Sequence, residues 1–508
     1  MGLNAVDLAV VAAYLTGVTL FGLRFRRKQT TLKDYFLAGN TIPWWAISLS
    51  IVAAETSTLT IISVPGLAYD KDFRFLQLVA GYLVGRIIVS FLFIPQYFRG
   101  ELFTAYQLIE RRFGSRLRTI TAAMFLVTRA AAEGVRVFAV AIVVRVALGE
   151  LLTGLSDYQR DVSAIAIVIA LTLVYTFEGG MAAVIWTDVI QLTIYIAGAV
   201  VGLFTILHLV PGGWGTIGTI AGHADKFRFV DTSWNFTTTY TLWSGVIGGA
   251  FLTCASHGTD QLIVQRLLSA RTQKQSQAAL LSSGVAILFQ FSLFLLIGAM
   301  LFVYYRVVPS SDVFTRTDTI FPTFIVSRMP HGISGLLISA ILAAAMSNLS
   351  AALNSLSSTT IIDFYARIRP NSSDTRRFQY SRLATIGWGV LLFGLALLAR
   401  RGGKVLEMGL SIASVAYGSL LGVFLLGVLS RRATQTGAIL GMSCGFILNL
   451  YLWLFTRISF TWYVVFGSIV TFIVGFSASW IFPQDIPHED RLIPSANTLE
   501  SGQMKLAD

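Results

Sequence analysis

The sequence has few of the residues that disulfide-linked, metal-binding or highly charged soluble proteins depend on. Only two of the 508 residues are cysteines, Cys254 and Cys444, and both fall in apolar stretches, so no disulfide or metal framework can be assigned. Charged residues make up only 13% of the chain. The metalloprotease HExxH motif, the hydrolase GxSxG motif and the P-loop motif are also missing. These absences give little support to an enzyme.

What the sequence has in abundance is hydrophobic residues, which make up 55% of the chain, and its mean hydropathy is +0.70. A membrane-spanning helix needs about 20 apolar residues. The first apolar segment, Ala5–Leu23, has no basic region before it and no small-residue cleavage site after it, so we interpret it as a retained helix. The sequence therefore predicts an all-α polytopic membrane protein, with residues 483–508 as a polar tail. Thirteen spans are predicted: Ala5–Leu23, Trp44–Tyr69, Leu76–Phe98, Thr119–Leu148, Val162–Phe177, Ala183–Val210, Trp243–Val264, Ala278–Tyr305, Ile333–Ile362, Tyr380–Leu398, Val405–Leu429, Thr436–Phe455 and Thr461–Trp480.

Basic residues outnumber acidic ones, and the formal net charge is +12 at pH 7. Most of them lie in alternate loops, which the positive-inside rule places on the cytoplasmic side. This distribution predicts an N-terminus outside, a cytoplasmic C-terminus and insertion in the plasma (inner) membrane. The excess charge is therefore topological and does not indicate nucleic-acid binding. The basic clusters are Arg24–Lys33, Arg99–Arg118, Arg266–Lys274, Arg367–Arg382 and Arg431–Arg432.

The ninth span contains an uncharged, oxygen-rich stretch. Residues 343–360 read AAAMSNLSAALNSLSSTT, with nine serine, threonine or asparagine residues. A helix facing only lipid would not hold so many polar groups, because hydrocarbon offers no hydrogen-bond partners. Uncharged oxygens deep in a bilayer are the ligands that an alkali cation needs.

The second span predicts a helix that cannot stay regular. Residues 44–69 read WWAISLSIVAAETSTLTIISVPGLAY, with Glu55 near the centre. A glutamate at this depth costs a few kcal/mol on insertion scales. One interpretation is a buried Glu55 paired with an arginine of a neighbouring helix. The other, compatible with the first, is a break where backbone carbonyls turn inward to bind an ion.

A matching irregularity follows five spans later. Residues 243–264 read WSGVIGGAFLTCASHGTDQLIV, in which glycines weaken the first half and polar residues fill the second. Interrupted helices at corresponding positions of two halves are typical of inverted repeats. The order of spans predicts repeats at 44–210 and 243–429.

Three motifs, in this order along the chain, resemble the sodium:solute symporter family. The first is Tyr175–Ala183 followed by Trp186–Asp188, and the second is Gly258–Gln261 with Val264–Arg266 and Leu268–Arg271. The third combines Gly427–Val428, Arg432 and Gly437–Ala438. The resemblance implies a LeuT-like fold of two inverted five-helix repeats. It also implies one extra helix before them (residues 1–23) and two after them (436–480).

The resemblance further implies a sodium site between the first core helix and the eighth. Ala344, Ser347 and Asn348 on the eighth core helix are spaced i, i+3 and i+4, so they share one face of that helix. Hard cations prefer oxygen ligands. The alternative is that Ser347 and Asn348 only join helices by hydrogen bonds. The implied sodium ligands are Ala53, Thr56, Ala344, Ser347 and Asn348.

The family also links the aspartate after Trp186 and Thr187 to sodium release or to a second sodium site. Here that residue is Asp188. Ser350 lies one turn beyond Ser347, where it is able to join Asp188 in such a site. The alternative for Asp188 is a helix-end residue that faces cytoplasmic water.

The solute site is predicted between the two broken helices. Arg136 is a candidate for a solute carboxylate, because arginine suits bidentate recognition. Arg129 and Glu133 are spaced i, i+4, so Glu133 is able to bridge Arg129 and Arg136 in a structural network with Arg86 and Glu55. For Gln77, Gln290 and Tyr417 the alternative is that they only form hydrogen bonds between helices. The candidates for solute binding are Glu55, Gln77, Arg136, Thr253, Ser256, His257, Gln290 and Tyr417.

The predicted function is sodium-coupled import of a small polar organic solute by alternating access. The expected partners are the solute, the co-transported sodium ion and the lipid bilayer, and one chain is sufficient for the activity. Two alternatives stay open. One is a membrane sensor that uses a similar helical module with a separate signalling partner, and the other is a proton-coupled transporter.

Overall fold

The computed structural model describes residues 2–26, 37–99, 105–149, 151–175, 180–310, 312 and 314–483. Over these residues all regular secondary structure is helical. The predicted tail lies outside them except for Pro483, as do Thr176–Gly179 of the first family motif. The all-α expectation is thus confirmed for the part of the chain that is described.

The described residues of the first half of the chain form ten α-helices. They are α1 (Ala5–Arg26), α2 (Trp44–Glu55), α3 (Thr58–Asp70), α4 (Phe75–Leu92), α5 (Ile94–Phe98), α6 (Ala105–Phe113), α7 (Ser115–Ala147), α8 (Asp157–Tyr175), α9 (Gly180–Leu209) and α10 (Gly213–His223).

The second half also forms ten α-helices. They are α11 (Gly249–Gly258), α12 (Gln261–Leu268), α13 (Gln273–Val307), α14 (Ile320–Arg328), α15 (Ile333–Thr359), α16 (Ala366–Ile368), α17 (Asp374–Ala399), α18 (Val405–Leu429), α19 (Gln435–Phe455) and α20 (Tyr463–Ile481).

Each of the thirteen predicted spans falls on a helix or on a group of consecutive helices. Eight of the described helices are long and apolar enough to cross a membrane, or nine spans if the bent pair α2–α3 counts as one. The count of thirteen is therefore not confirmed. Among the other predicted spans, α7 carries five charged residues between Arg118 and Arg145, and α11 and α12 are short pieces.

Both predicted irregular helices are broken. Helices α2 and α3 meet at an angle of 63°. In the second, a π-helical turn at Ser244–Gly248 leads into α11, which ends at Gly258, and α12 begins at Gln261. Thr259 and Asp260 therefore separate two short helices within the predicted span Trp243–Val264.

Glycines allow the second broken helix to approach α4 closely. A Cβ on Gly81 would lie 2.7 Å from the Val246 carbonyl oxygen, and one on Gly245 would lie 2.6 Å from the Gln77 carbonyl carbon. Such separations are closer than side chains allow. The contact fixes α4 beside the second break, and α13 packs along α2, α3 and α4. The two breaks are thereby held around one central cavity.

Candidate functional site

The break between α2 and α3 frees backbone carbonyls near the middle of the bundle. The Thr56 N–H donates to the Val52 carbonyl over 2.8 Å, but the Ser57 N–H donates to Glu55 over 2.9 Å instead of to Ala53. The Ala53 carbonyl therefore loses the helical donor that a continuous helix would supply. The Thr56 hydroxyl is anchored by Val52 and Gln290. The break thus leaves the Ala53 carbonyl without its helical hydrogen bond and holds the Thr56 side chain in place.

One of the three predicted residues on α15 reaches this break. Ala344 is buried, whereas Ser347 and Asn348 are half-buried, and neither of these two side chains forms a hydrogen bond with any described residue. Asn348 lines the central cavity together with Glu55 and Ser57. The structure therefore brings Asn348 to the break.

A small recess joins the break to the charged face of α7. It is lined by Ser57, Thr58, Asn348, Glu133 and Arg136, among others. The Thr58 hydroxyl is buried in the protein and forms no hydrogen bond with the described residues. A buried hydroxyl without a partner costs free energy unless a bound molecule or ion supplies one. The recess thus has the character of a binding site.

Glu55 is held by two residues from other helices. Its carboxylate forms a short ion pair with Arg86 of α4 and lies 3.7 Å from the His257 Nε2 atom of α11. Arg86 is only 1% exposed and also donates to the Ser283 hydroxyl over 3.2 Å. The Glu55 side chain still reaches the cavity, with 18% of its surface exposed. The predicted arginine partner on a neighbouring helix is therefore Arg86.

Glu133 bridges Arg129 and Arg136, as the spacing predicts. Its Oε1 atom lies 2.9 Å from the Arg129 Nη2 atom and 2.9 Å from the Arg136 Nη1 atom. Both arginines line the central cavity, and Arg136 keeps a third of its side chain exposed. The single network that was expected to include Glu55 divides into two ion-pair clusters: Glu55 pairs with Arg86, whereas Glu133 pairs with Arg129 and Arg136.

The second break supplies another wall of the cavity. Asp260 caps α12 by accepting from the Leu262 N–H over 2.9 Å, and Tyr417 of α18 donates to its other oxygen over 2.7 Å. The predicted solute candidates of this region, Thr253, Ser256, His257 and Tyr417, all line the cavity, whose volume is about 210 Å³.

Two of the predicted solute candidates do not line this cavity. Gln77 is buried and bonds to the Tyr240 carbonyl and to the Asp231 N–H of the long loop before α11. Gln290 is buried, and its Nε2 atom donates to the Thr56 hydroxyl over 2.5 Å. Both amides join helices or loops, which was the alternative interpretation of each.

Asp188 is buried and does not face cytoplasmic water, so that alternative is wrong. Its Oδ2 atom accepts from the Ser50 hydroxyl over 2.6 Å and from the Arg266 Nη2 atom over 2.9 Å. Arg266 also donates to Ser50 over 2.8 Å, which closes a triangle between α2, α9 and α12. Ser350 is buried on α15, and no hydrogen bond joins it to Asp188.

Sequence reasoning missed several cavity residues. Ser57, Thr58 and Thr60 follow the break, and Asp260 follows the glycine-rich half of the second broken helix. A signal for Asp260 was available: an aspartate between Gly258 and an apolar helix has the N-cap pattern. Phe75 and Phe291, which also line the cavity, looked like ordinary apolar span residues.

Two broken helices that face each other around a polar cavity in a membrane bundle define a secondary transporter. A solved structure of a substrate-bound, outward-open Na⁺-coupled sialic acid symporter matches with a TM-score of 0.79 and 30% identity, over 95% of this chain and 99% of that one. A nucleobase-cation-symport-1 family transporter matches with a TM-score of 0.55 and 13% identity, over 93% of this chain and 99% of that one, which shows the fold alone. The fold is LeuT-like.

The chain belongs to the sodium:solute symporter family, whose sequence profile matches residues 35–445. The sodium/sialic acid symporter of Proteus mirabilis is 31% identical over 477 residues, which cover 92% of this chain and 94% of that protein. This protein is therefore a multi-pass membrane transporter and not an enzyme. It is a sodium-coupled symporter of a small-molecule solute, with sodium as the co-transported ion.

Proposed function

We propose that this symporter imports an organic anion, a hydroxylated carboxylic acid of the sialic acid class. The observation that carries the proposal is the part of the central cavity that is lined by Arg136, Ser57 and Asn348, which also line the small recess. It offers a partly exposed guanidinium, the N-terminus of a half-helix and an ion-site candidate within one space. The sialic acid specificity of its relative from Proteus mirabilis supports the same class of solute.

The start of α3 suits a carboxylate. The Thr58 and Leu59 N–H groups form no hydrogen bond with the described residues, and no side chain caps this helix. Free N–H groups and the helix dipole together favour an anion at a helix N-terminus. Arg136 faces the same recess, and a guanidinium binds carboxylates by paired charge-assisted hydrogen bonds. The acid group lies between them, and the hydroxyl groups point toward Glu55, Thr253, Ser256 and His257.

Sodium binds between the break and α15. Its ligands are the carbonyls of Ala53, Thr56 and Ala344 and the side chains of Ser347 and Asn348. The missing helical donor at Ala53 and the unbonded side chains of α15 support this set. Because the cation joins the end of α2 to α15, it fixes the start of α3 in the orientation that binds the anion. This linkage couples the two solutes.

Transport proceeds by alternating access. Sodium and the anion load from outside, the loaded carrier rocks inward, and sodium leaves past Asp188 and Ser350. One sodium carried with one monovalent anion moves no net charge. The contribution of about 2.3 kcal/mol per charge per 100 mV then cancels, and the sodium gradient alone drives uptake.

The repeats are 44–210 and 243–429, since the two broken helices begin them in equivalent places. The C-terminus is cytoplasmic, the N-terminus is outside, and the membrane is the plasma (inner) membrane. Ion pairing of Arg118 with Asp363 and donation from Arg112 to the Ser430 carbonyl bring three basic loops to one end, which supports this orientation. A single chain supplies every proposed ligand, so a monomer is sufficient.

The solute class is tested by sodium-driven uptake of labelled sialic acid into proteoliposomes. Arg136→Gln should raise the KM for the acid about 10- to 100-fold, because a hydrogen bond to a charged group is worth roughly 1.5–3 kcal/mol. Arg145→Gln is the matched control, on the same helix but outside the cavity, where it pairs with Asp157 and Asp161. Equal losses in both variants, or failure of carboxylic acids to compete, would contradict the proposal.

The sodium site is tested in the same vesicles by varying external sodium. Ser347→Ala removes one ligand oxygen and should raise the sodium concentration for half-maximal uptake by about tenfold or more, equivalent to about 1.4 kcal/mol. Ser358→Ala is the control, since Ser358 is exposed on α15 and bonds only to the Ser355 carbonyl. An unchanged sodium dependence in Ser347→Ala would rule out this site.

A further inference from the structure

A second cavity lies away from the central cavity, where α15 ends and α17 begins. Its volume is about 950 Å³, and it is lined by residues between Thr360 and Ala384. The backbone is irregular there: a π-helical turn covers Thr360–Tyr365 before the short helix α16. Single π-turns within helices are frequent at functional sites.

This segment is strongly basic. Five arginines between Arg367 and Arg382 are accompanied by one acidic residue, Asp374. The local structure uses Arg377, which donates to the Ser372 hydroxyl over 2.9 Å and to the Pro370 carbonyl over 2.8 Å. Those bonds hold the turn that forms one side of the cavity.

Arg369 and Arg376 remain available. Both line the cavity, both are exposed, and their guanidinium groups have no hydrogen-bond or ion-pair partner among the side chains that the structure describes. Two unpaired guanidinium groups that face one space attract an anion with several acceptor oxygens, such as a phosphate group.

Aromatic and apolar side chains show where that anion comes from. The rings of Tyr365 and Tyr380 line the cavity with centroids 4.9 Å apart, and tyrosine is enriched at the headgroup level of membranes. Ile368 is 75% exposed and Leu383 is 62% exposed beside them. Only 22% of the apolar stretch of α17 is buried inside the protein, so this helix faces lipid.

We propose that this cavity binds the headgroup of an anionic phospholipid. The phosphate lies between Arg369 and Arg376, the tyrosines border the glycerol region, and the acyl chains follow the exposed face of α17. The site is at the end of the bundle where the basic loops meet, since Arg118 of α7 pairs with Asp363 next to it. It lies outside the transport path and does not depend on the identity of the solute.

The test titrates phosphatidylglycerol into the full-length protein in neutral detergent and follows binding by native mass spectrometry. Each basic residue near an anionic lipid is worth about 1 kcal/mol, so the double substitution Arg369→Ala/Arg376→Ala should weaken binding roughly 30-fold. Arg116→Ala removes an exposed arginine at the same end of the bundle, outside the cavity, and should leave the affinity unchanged. All substituted side chains are exposed, so the variants should fold.

Three outcomes would overturn the proposal. Equal weakening by Arg116→Ala would mean that only general surface charge attracts the lipid. Equal binding of phosphatidylcholine would show that the cavity does not select the anionic headgroup by its charge. Equally tight binding of glycerol phosphate, or its full competition with phosphatidylglycerol, would show an anion site that does not use the membrane.

Discussion

At the scale of single residues, two carboxylates of this transporter are paired with arginines of other helices. Glu55 pairs with Arg86, and Asp188 pairs with Arg266. Charges of this kind are expensive to bury, and removing one partner usually costs more than removing both. These pairs hold helices together around the central cavity without adding net charge to it.

The Asp188–Arg266 pair provides a prediction at this scale. Arg266→Gln leaves a buried carboxylate without its cation and should lower the free energy of unfolding by roughly 3–5 kcal/mol. The double variant Asp188→Asn/Arg266→Gln should be more stable than Arg266→Gln, because no uncompensated charge remains. Thermal midpoints of the purified variants measure the difference.

Arg145→Gln is the control for this pair of variants. It breaks a bridge to Asp157, whose side chain is 72% exposed, and one to Asp161, which keeps its ion pair with Arg400, so the loss should be only about 0–1 kcal/mol. A double variant as unstable as Arg266→Gln would show that the guanidinium stabilises the fold by packing and not by charge.

The sequence anticipated charge pairs only where they are local. Arg129, Glu133 and Arg136 share a helix face, so their contacts follow from spacing alone. It also indicated that Glu55 needs an arginine from a neighbouring helix. Arg86 lies 31 positions away and Arg266 lies 78 positions from Asp188. Which arginine meets which carboxylate was decided by helix packing, and no local pattern encodes that choice.

At the scale of elements, close approach between helices positions the site. Helix α4 crosses the second broken helix where Gly81 faces the π-helical turn. Helix α1 docks on α15 through Asp7, whose Oδ1 atom accepts from the Gly332 N–H over 2.6 Å and from the Gly335 N–H over 3.1 Å. An aspartate from another helix thus caps the helix that carries the proposed sodium ligands.

The crossing of α4 gives the second prediction. Gly81→Ala places a methyl group against the Gly245 and Val246 carbonyls and should destabilise the protein by about 1–3 kcal/mol, as overpacking does. Gly394→Ala is the control, because nothing lies within 4 Å of its new Cβ on the exposed face of α17. That change should be neutral or stabilising by up to about 1 kcal/mol. The thermal midpoints of both variants are compared with that of wild type. An unchanged midpoint in Gly81→Ala would contradict the close crossing.

The broken helices show how far sequence patterns reach at this scale. Glu55 and the polar residues after it predicted the first break, and the glycines before Thr253 predicted the second. The two longest loops between the predicted spans, residues 211–240 and 306–332, hold the short helices α10 and α14, and a helix in such a loop is expected on the surface. However, α14 is not on the surface, since Phe321, Phe324 and Ile325 are fully buried. Its burial depends on neighbours that the loop sequence does not reveal.

At the scale of the whole molecule, the loop between α10 and the second broken helix ties the two halves together at one end. Lys226 donates to the Tyr69 and Lys71 carbonyls at the end of α3 over 2.7 and 2.8 Å. Asp231 binds Arg74 over 2.8 Å, just before α4. The loop therefore clamps the end of α3 and the start of α4, two helices that line the cavity.

This clamp gives a pH prediction. Hydrogen bonds from Ser233, together with Arg74, hold the pKa of Asp231 below its ordinary value of 3.8. A carboxylate with a lowered folded-state pKa stabilises the fold above its unfolded pKa, and that stability is lost as the pH falls through the folded pKa. The thermal midpoint of wild type should therefore exceed that of Asp231→Asn at pH 7, and the gap should close below about pH 3.8.

The control for the clamp is Asp225→Asn in the same loop. Asp225 has a left-handed backbone conformation, which asparagine also accepts, and it forms no ion pair within the described residues. The thermal midpoint of this variant should fall at acidic pH in the same way as that of wild type. A gap between wild type and Asp231→Asn that stays constant with pH would show that Asp231 acts without its charge.

By itself, the sequence determined the membrane class, the all-helical fold, the two broken helices and the family, because hydropathy, helix-breaking residues and short motifs are local properties. The tertiary structure decided that Gln77 and Gln290 brace the bundle, that Asp188 is sealed by Arg266 and Ser50, and that Thr58 and Asp260 face the cavity. Those outcomes depend on how distant helices meet. A side chain that lines a cavity and one that joins two helices have the same local sequence signal, and only packing separates them.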